Sequence, residues 1–417
     1  MRKANKISGG YGNIMSEIEQ KYGISSEVVE LRNKVRRFID EKVIPVETIV
    51  EERDEEGMRV LKELQAQAKQ EGIWALGLPR DIGGGGLKFM DYVYVNEVVG
   101  RSEAAMSALG THTAQDATML NLFGTKEQKE KWLYPLVNGE INPSVGLTEP
   151  NVAGSDPTLI QSTAYLDGDE WVINAHKLFT TGANRAAFTT MFCVTEPEEP
   201  SRHKRSSMIL VPTNTPGYEI VRVVPTMGHT SGGHCEIRLT NVRVPKENLL
   251  GERGAGFVIA QKRLGPGRIY HCMRWLGQAQ RAFDIMCERA ITRYAHGSLL
   301  SEKQMIQKFI ADSATEIQAA RLMTLEAAKK IDQGEEARID IAMIKVFGAK
   351  VLHDVVDRAI QVHGAMGVTS DTPLEKMYRE ARYARIYDGP DEVHTATVAK
   401  RILRKYQQGE SWDPANF

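Results

Sequence analysis

The sequence predicts a mainly helical protein with a β domain set into its middle. Three observations carry this. Apolar residues recur every three or four positions from Val28 to Leu133; between Thr163 and Val244 they fall into short strand-like runs; after Gly256 the helical spacing returns and holds to Leu403. Neither a βαβ alternation nor an internal repeat is present, so a doubly wound α/β fold has no support. The expected organisation is an N-terminal helical domain over 26–143, an antiparallel β-barrel or sandwich over 144–250, and a C-terminal four-helix bundle over 251–410.

Residues 1–24 lack periodicity and read as an extension or loop. Val28, Leu31, Val35, Phe38 and Ile39 then make one apolar helical face, which ends before Pro45. Val60, Leu61, Leu64 and Ala68 make a second face, and Tyr92, Val95 and Val99 a third, with the flexible turn Gly83–Gly86 between them. Thr125-Lys126-Glu127-Gln128 has the form of a capping box and opens a short helix through Trp132 and Leu133. Around Leu147 the period changes. Thr163–Leu166 and Glu170–Ile173 flank Asp167-Gly168, a pair suited to the positive φ angles of a hairpin turn, and four more strand-like runs follow up to Val244. The charged, Pro-containing segment from Glu196 to Ser207 reads as a solvated loop. Beyond Gly251–Gly256, long helices are expected around Ile269–Ala290, Ile306–Ala328 and Ile341–Leu352, and from Ile386 across a break to Leu403; with short links these form a bundle.

At 417 residues there is chain enough for two or three domains. Lys plus Arg (53) balances Asp plus Glu (54), which speaks against a nucleic-acid or anionic-membrane surface. The four cysteines have no metal spacing, the basic start Met1–Lys6 is followed by no apolar run, and no window has the length of a membrane span. The expectation is a cytoplasmic protein without a metal. His229 and His234 flank a glycine-rich turn and read as incidental.

The stretch Arg385–His394 (RIYDGPDEVH) draws most attention. Asp388 precedes a glycine, at a sharp break between an apolar approach and a new helix. Pro390 suits that helix's first position, and Asp391 and Glu392 suit its first turn, where negative charge meets the positive end of the dipole. A carboxylate so placed can have its pKa raised by desolvation and act as a base. Locally, a capping role would also account for it. Thr148-Glu149-Pro150 with Gly154-Ser155-Asp156 reads locally as a hydroxyl-rich loop, and Trp171–Gly182 as a strand with one buried aromatic. The glycines of Gly251–Gly256 lie in no βαβ unit, so a dinucleotide fingerprint fails there.

Taken together, these segments resemble the acyl-CoA dehydrogenase family over roughly residues 26–405, in family order, and in particular a subgroup with aspartate in place of the catalytic glutamate. Asp388 stands at the place of the family's base, and Arg268, in Leu264–Arg268, matches an arginine near it. Ile269–Arg274 also resembles the aspartate-type subgroup. The resemblance implies FAD, with flavin contacts from Leu147, Thr148, Gly154, Ser155, Phe179 (where tryptophan is common) and Thr181. Arg293 and Gln304 match the segment that holds the pyrophosphate of a neighbouring subunit's flavin, though His296 replaces its phenylalanine. Gln361, Gly364 and Gly367 match the turn that receives the other end of the dinucleotide; a helix C-cap would also explain these glycines. Pro390 and Glu392 complete the implied set.

The chemistry so implied is α,β-dehydrogenation of an acyl-CoA thioester to the trans-2-enoyl-CoA. Asp388 takes the α-proton while the β-hydrogen leaves as hydride, and the thioester oxygen is polarised by the Asp388 backbone N–H and a flavin ribityl hydroxyl. Electrons then pass to an electron-transfer flavoprotein, and the protein assembles as a homodimer or homotetramer. Aspartate reaches about 1.5 Å less far than glutamate, so backbone or substrate must shift. Two other readings stay open from sequence: a nitroalkane-oxidase-like flavoprotein that also uses aspartate, and a non-catalytic helical scaffold.

Overall fold

The computed structural model describes residues 22–227 and 233–413; the readings made of His229 and of residues 1–21 lie outside them. The N-terminal part is helical, with α1 (Ser26–Phe38), α2 (Glu55–Gln70), α3 (Phe89–Val99) and α4 (Ala114–Phe123) as its main elements. Helix α1 buries Val28, Val35 and Phe38, the stripe that its spacing predicts. Helix α3 is buried at every position from Tyr92 to Val99, as befits a helix packed on all sides. The Thr125 capping box forms in both directions. Its Gln128 also donates to the carbonyls of Glu247 and Leu249 at 2.8 Å each, which fastens the helical region to the end of the sheet.

The middle region is one eight-stranded sheet: β1 (Pro143–Gly146), β2 (Thr163–Asp167), β3 (Glu170–Thr181), β4 (Phe188–Val194), β5 (Ser206–Pro212), β6 (Tyr218–Val223), β7 (His234–Pro245) and β8 (Leu249–Leu250). The order is β6-β7-β3-β2-β4-β5-β8, with β1 on β4. The sheet is therefore mixed rather than purely antiparallel, and its strand order is open. The cause is β1, which arrives from the helices and runs parallel to β4, and β2, which meets β4 in parallel at Thr163 and Val194. The β2–β3 hairpin is present, but its turn differs in detail. Asp167 pairs with Glu170, so Gly168 and Asp169 are the central residues, and Gly168 alone takes a positive φ (65°). Glycine in the first central position is what such a turn demands.

Strict alternation divides the two faces of β4 and β5. Phe188, Phe192, Met208 and Leu210 join the core of the helical regions, whereas Met191, Cys193, Ile209 and Val211 join a second core with Trp171, Ile173, Ile237 and Val242.

Four long helices follow: α5 (Gly256–Thr292), α6 (Gln304–Asp332), α7 (Arg338–His363) and, after the shorter α8 (Leu374–Ala384), α9 (Asp391–Gln407). Helix α8 has no counterpart in the sequence reading; it buries Leu374, Met377, Ala381 and Ala384 on one face. Helix α5 runs through Gly265–Gly267, so Arg268 lies inside a helix rather than at its start. Pro390 is the N-cap of α9, one position earlier than expected. The N-terminal helices and the bundle share one core and are cross-linked by buried charge. Glu97 of α3 receives Arg321 of α6 at 2.8 and 2.9 Å, and Arg281 of α5 reaches Glu47 at 2.6 and 2.9 Å.

One buried pair fastens the loop between β1 and β2. Lys177 of β3 is fully buried, and its Nζ donates to Glu149 (2.9 Å) and to the carbonyls of Leu147 and Phe192. Glu149 also accepts from the amides of Gln161 and Ser162. Burial opposes ionisation of Glu149, but Lys177 and these hydrogen bonds outweigh it, leaving the carboxyl below its ordinary range. With a depressed folded pKa, the stabilisation is present above the ordinary glutamate pKa and lost as pH falls through the folded value. Glu149→Gln leaves the Lys177 charge buried without its counter-ion and is expected to cost about 3–5 kcal/mol at neutral pH. Denaturant unfolding of both proteins checks this; a loss within about 1 kcal/mol, the range of an exposed pair, would refute it.

Candidate active site

The backbone break foreseen at Asp388 consists of two consecutive left-handed residues, Asp388 (φ 55°) and Gly389 (φ 97°), between α8 and the cap of α9. Aspartate tolerates this region better than most side chains. Position 389 does not tolerate a side chain, because a Cβ there would lie 2.8 Å from Nε2 of His394. The kink is held by its carbonyl. The Asp388 oxygen accepts from Arg268 Nε of α5 (3.3 Å) and from His394 Nε2 of α9 (3.1 Å). In the next turn Asp391 receives Arg385 Nε at 2.7 Å and lies 3.4 Å from the buried Lys345 Nζ of α7, which is the structural role its position suggests.

The Asp388 side chain is 21% exposed, neither sealed nor free in solvent. Oδ2 is its buried oxygen. Nε2 of His271 stands 2.9 Å from Oδ2, but no aligned hydrogen bond joins them. Burial pushes the carboxyl up, as expected from sequence, yet His271, Arg263 and Arg268 outweigh it and hold the pKa well below the ordinary aspartate range. The expectation of a raised pKa is thus corrected: side chains of one helix, α5, reverse the effect of desolvation. Arg263 is itself paired with Asp116 of α4 (3.2 Å), which divides its charge between two acids. Tyr387 packs edge-on to His271 with ring centroids 5.0 Å apart, and its hydroxyl accepts from Trp275 Nε1 at 2.7 Å.

A second group of motif residues assembles on the sheet. The register of β3 against β7 slips between Lys177 and Thr180, and within that bulge Phe179 takes a positive φ (57°). Bulges re-aim side chains. Phe179 is turned outward and is 49% exposed, not buried as the local strand reading has it. The bulge also releases the Leu178 amide from the ladder, and this N–H donates to the Thr148 carbonyl at 2.9 Å. Thr148 and the Phe179–Thr181 segment are thereby joined. Gly154 sits against the Thr148 side chain, Leu147 gives its carbonyl to Lys177, and Ser155 is exposed on the same loop. The Thr181 hydroxyl lies 2.9 Å from Nδ1 of His234, so His234 is part of this cluster rather than incidental. The connection after β6 touches α8, where Arg379 donates to the Met227 carbonyl at 3.1 Å.

The remaining motif residues form two further groups. Arg293 caps the end of α5 and Gln304 begins α6, on either side of a small hairpin, β9 (Tyr294–Ala295) and β10 (Ser298–Leu299); both side chains are exposed. Gln361 lies in the last turn of α7, whose C-cap is Gly364, and Gly367 is buried just beyond. Glu392 is exposed in the first turn of α9. Sequence patterns assign no role to His271, Arg263 or His394. His394 closes the same motif as Asp388, six residues on, and His271 lies in the Ile269–Arg274 segment, yet neither spacing reveals contacts made across helices. Among the described residues no cluster of acidic, histidine or cysteine side chains could hold a metal, and no helix is long and apolar enough to cross a membrane.

Comparison with known proteins finds relatives over most of the chain. The acyl-CoA dehydrogenase N-terminal, middle and C-terminal domain families match residues 25–140, 144–242 and 254–403. FadE2 of Mycobacterium tuberculosis, named a probable acyl-CoA dehydrogenase, is 42% identical over 399 residues, covering 92% of this chain and 97% of its own. Human acyl-CoA dehydrogenase family member 11 is 40% identical over 90% of this chain, which spans about half (50%) of that longer protein. Butyryl-CoA dehydrogenase from Megasphaera elsdenii superposes with a TM-score of 0.80 at 28% identity, covering 91% of this chain and 99% of that one. The chain belongs to the acyl-CoA dehydrogenase family of flavin-dependent oxidoreductases.

Proposed function

We propose that this enzyme converts an acyl-CoA thioester to its trans-2-enoyl-CoA with Asp388 as the base. The observation that carries this reading is the carboxylate itself. It is fixed on a left-handed turn, with one oxygen buried against His271, and the exposure that remains belongs to the rest of the side chain. Oδ1 is thus the oxygen a substrate can reach. The α5 side chains His271, Arg263 and Arg268 hold it ionised, which is the state a base must be in before it acts.

The residues on the sheet fit FAD. An outward aromatic in a left-handed bulge, beside the Thr181 hydroxyl and the Thr148–Ser155 loop, makes a flat platform with polar edges. Phe179 would lie against the isoalloxazine, with Thr181 bonding its edge and Leu147, Thr148, Gly154 and Ser155 lining the loop around it. Pro390 and Glu392 would meet it from the start of α9. Arg293 and Gln304 would serve the pyrophosphate of a second subunit, with Gln361, Gly364 and Gly367 at the far end, so the reading includes a homodimer or homotetramer. When bound, FAD supplies the acceptor for the β-hydrogen and its electron pair. Asp388 takes the α-proton on Oδ1, and its backbone N–H polarises the thioester oxygen. Arg268 and His394 hold the following peptide by the Asp388 carbonyl and so fix the residue from its C-terminal side. Passage of the electrons to an electron-transfer flavoprotein completes the reaction.

Asp388→Asn is expected to purify yellow and flavin-loaded, with anaerobic bleaching by acyl-CoA slowed about 10²–10⁴-fold, the usual contribution of a general base. Bleaching at the native rate would remove Asp388 from this role, and turnover of nitroalkane in air without acyl-CoA bleaching would replace the substrate class. The depressed pKa of Asp388 has its own consequence. The base is deprotonated well below neutrality, so the bleaching rate should show no acid limb between about pH 5.5 and 8. Stopped-flow measurement across that range tests it; a titration near neutrality would contradict it.

A further inference from the structure

The environment of His271 goes beyond the pairing of a base with its substrate. His271 lies on α5, with its side chain 20% exposed and Nε2 2.9 Å from Asp388 Oδ2. Its other ring nitrogen, Nδ1, is 2.8 Å from Nη2 of Arg274. A guanidinium can only donate, so Nδ1 must accept, and the neutral ring carries its proton on Nε2, toward Asp388. The ring is also confined, stacked at 6.1 Å from Trp275 and edge-on to Tyr387.

We propose that His271, its tautomer fixed by Arg274, is a positioning residue for the base: its Nε2–H holds Oδ2 of Asp388 so that Oδ1 meets the α-proton of the substrate. This rests on the reading of Asp388 given above. Rotation about χ2 of an aspartate is soft and nearly two-fold, so a short carboxylate on a kinked backbone needs an external reference to present one particular oxygen. His271 is that reference. The N–H is not aligned with Oδ2 in the free enzyme, where catalytic hydrogen bonds are commonly loose and tighten only with substrate bound.

Burial, with Arg274 and Arg263 adding to it against the pull of Asp388, lowers the His271 pKa and keeps the ring a neutral donor. The charged and titratable groups facing the pair are Arg263, Arg268 and Arg274 from α5, Asp116 from α4 through Arg263, Lys345 from α7, Tyr387 from the connection between α8 and α9, and His394 with Asp391 from α9. In the step itself the Cα–H bond breaks, an O–H bond forms at Oδ1, and the electron pair moves into the thioester enolate. His271 gains and loses no proton.

Tert-butylacetyl-CoA, which has α-hydrogens but no β-hydrogen, isolates this step, because α-deuterium uptake from D2O is read by mass spectrometry without flavin reduction. In flavin-loaded enzyme, His271→Leu is expected to slow uptake by about 30-fold, less than the 10²–10⁴-fold contribution of the base itself, with the thioester Kd unchanged. His271→Gln, which also offers an N–H donor, should recover most of the rate. Arg274→Met frees Nδ1 to take a proton. The raised His271 pKa should then bring an acid limb that the native enzyme lacks, since the imidazolium makes Asp388 less basic. Exchange by His271→Leu at the native rate, or failure of glutamine to rescue where leucine is slow, overturns the proposal, and a flat Arg274→Met profile does so even if the leucine variant does not fold. A native enzyme that neither exchanges nor bleaches fails at Asp388 itself, a result distinct from both.

Discussion

The two left-handed residues between α8 and α9 are the constraint on which the rest of this site depends. A chain that turns through Asp388 and Gly389 in succession places the aspartate carbonyl between two helices, where Arg268 and His394 hold it. The peptide can then neither slide along α9 nor rotate toward α8, so its side chain leaves in one direction. Strain of roughly 1–3 kcal/mol in a non-glycine left-handed residue persists only where the surroundings over-determine it, and here three helices do so. Helix α5 supplies Arg268 and His271, α9 supplies His394, and α7 anchors the first turn of α9 through Lys345 and Asp391.

A similar economy governs the sheet. The bulge at Phe179 breaks the β3–β7 ladder, and the amide it frees is taken up by the Thr148 carbonyl instead of being left unpaired. One irregularity thus turns an aromatic outward and ties down the loop proposed to meet the flavin. The Lys177–Glu149 pair, immediately beside the bulge, fixes the same loop from below with charge. Its desolvation is offset only because every partner is present at once: two backbone carbonyls, two amides and the opposite charge.

The helical, β, helical order was legible in the sequence because periodicity is a local property, and Asp388-Gly389 was legible as a break because glycine marks positive φ. The capping box at Thr125 and the hairpin around Gly168 were readable for the same reason. The mixed character of the sheet was not, since nothing in Pro143–Gly146 says which distant strand it will run beside. Helix α8 escaped because its apolar positions, Leu374, Met377, Ala381 and Ala384, are interleaved with charges. Contacts across helices were hidden altogether. His271 and Asp388 are far apart in the chain and 2.9 Å apart in space, and the sign of the Asp388 pKa shift turned on that distance.

With Asp388 as the proposed base, that sign bears on how an aspartate can replace a longer one. A glutamate can compensate for imperfect placement with an extra rotatable bond, whereas an aspartate must be delivered by its backbone. A backbone that delivers it also brings it close to α5, whose side chains at 263, 268, 271 and 274 are three arginines and a histidine. Neutralising the base is the danger in such company, because a carboxylate tied up by cations is a weak one. The structure limits this in two ways: Arg263 is shared with Asp116, and Arg274 is directed at the imidazole rather than at the carboxylate. What reaches Asp388 most closely is therefore the ring of His271, and burial beside two arginines keeps that ring neutral. A neutral donor orients a carboxylate at far less cost to its basicity than a cation would. Shortening the base by one methylene is thus matched by a clamp on its peptide and an uncharged contact on its oxygen, and neither would serve without the left-handed turn that brings Asp388 between them.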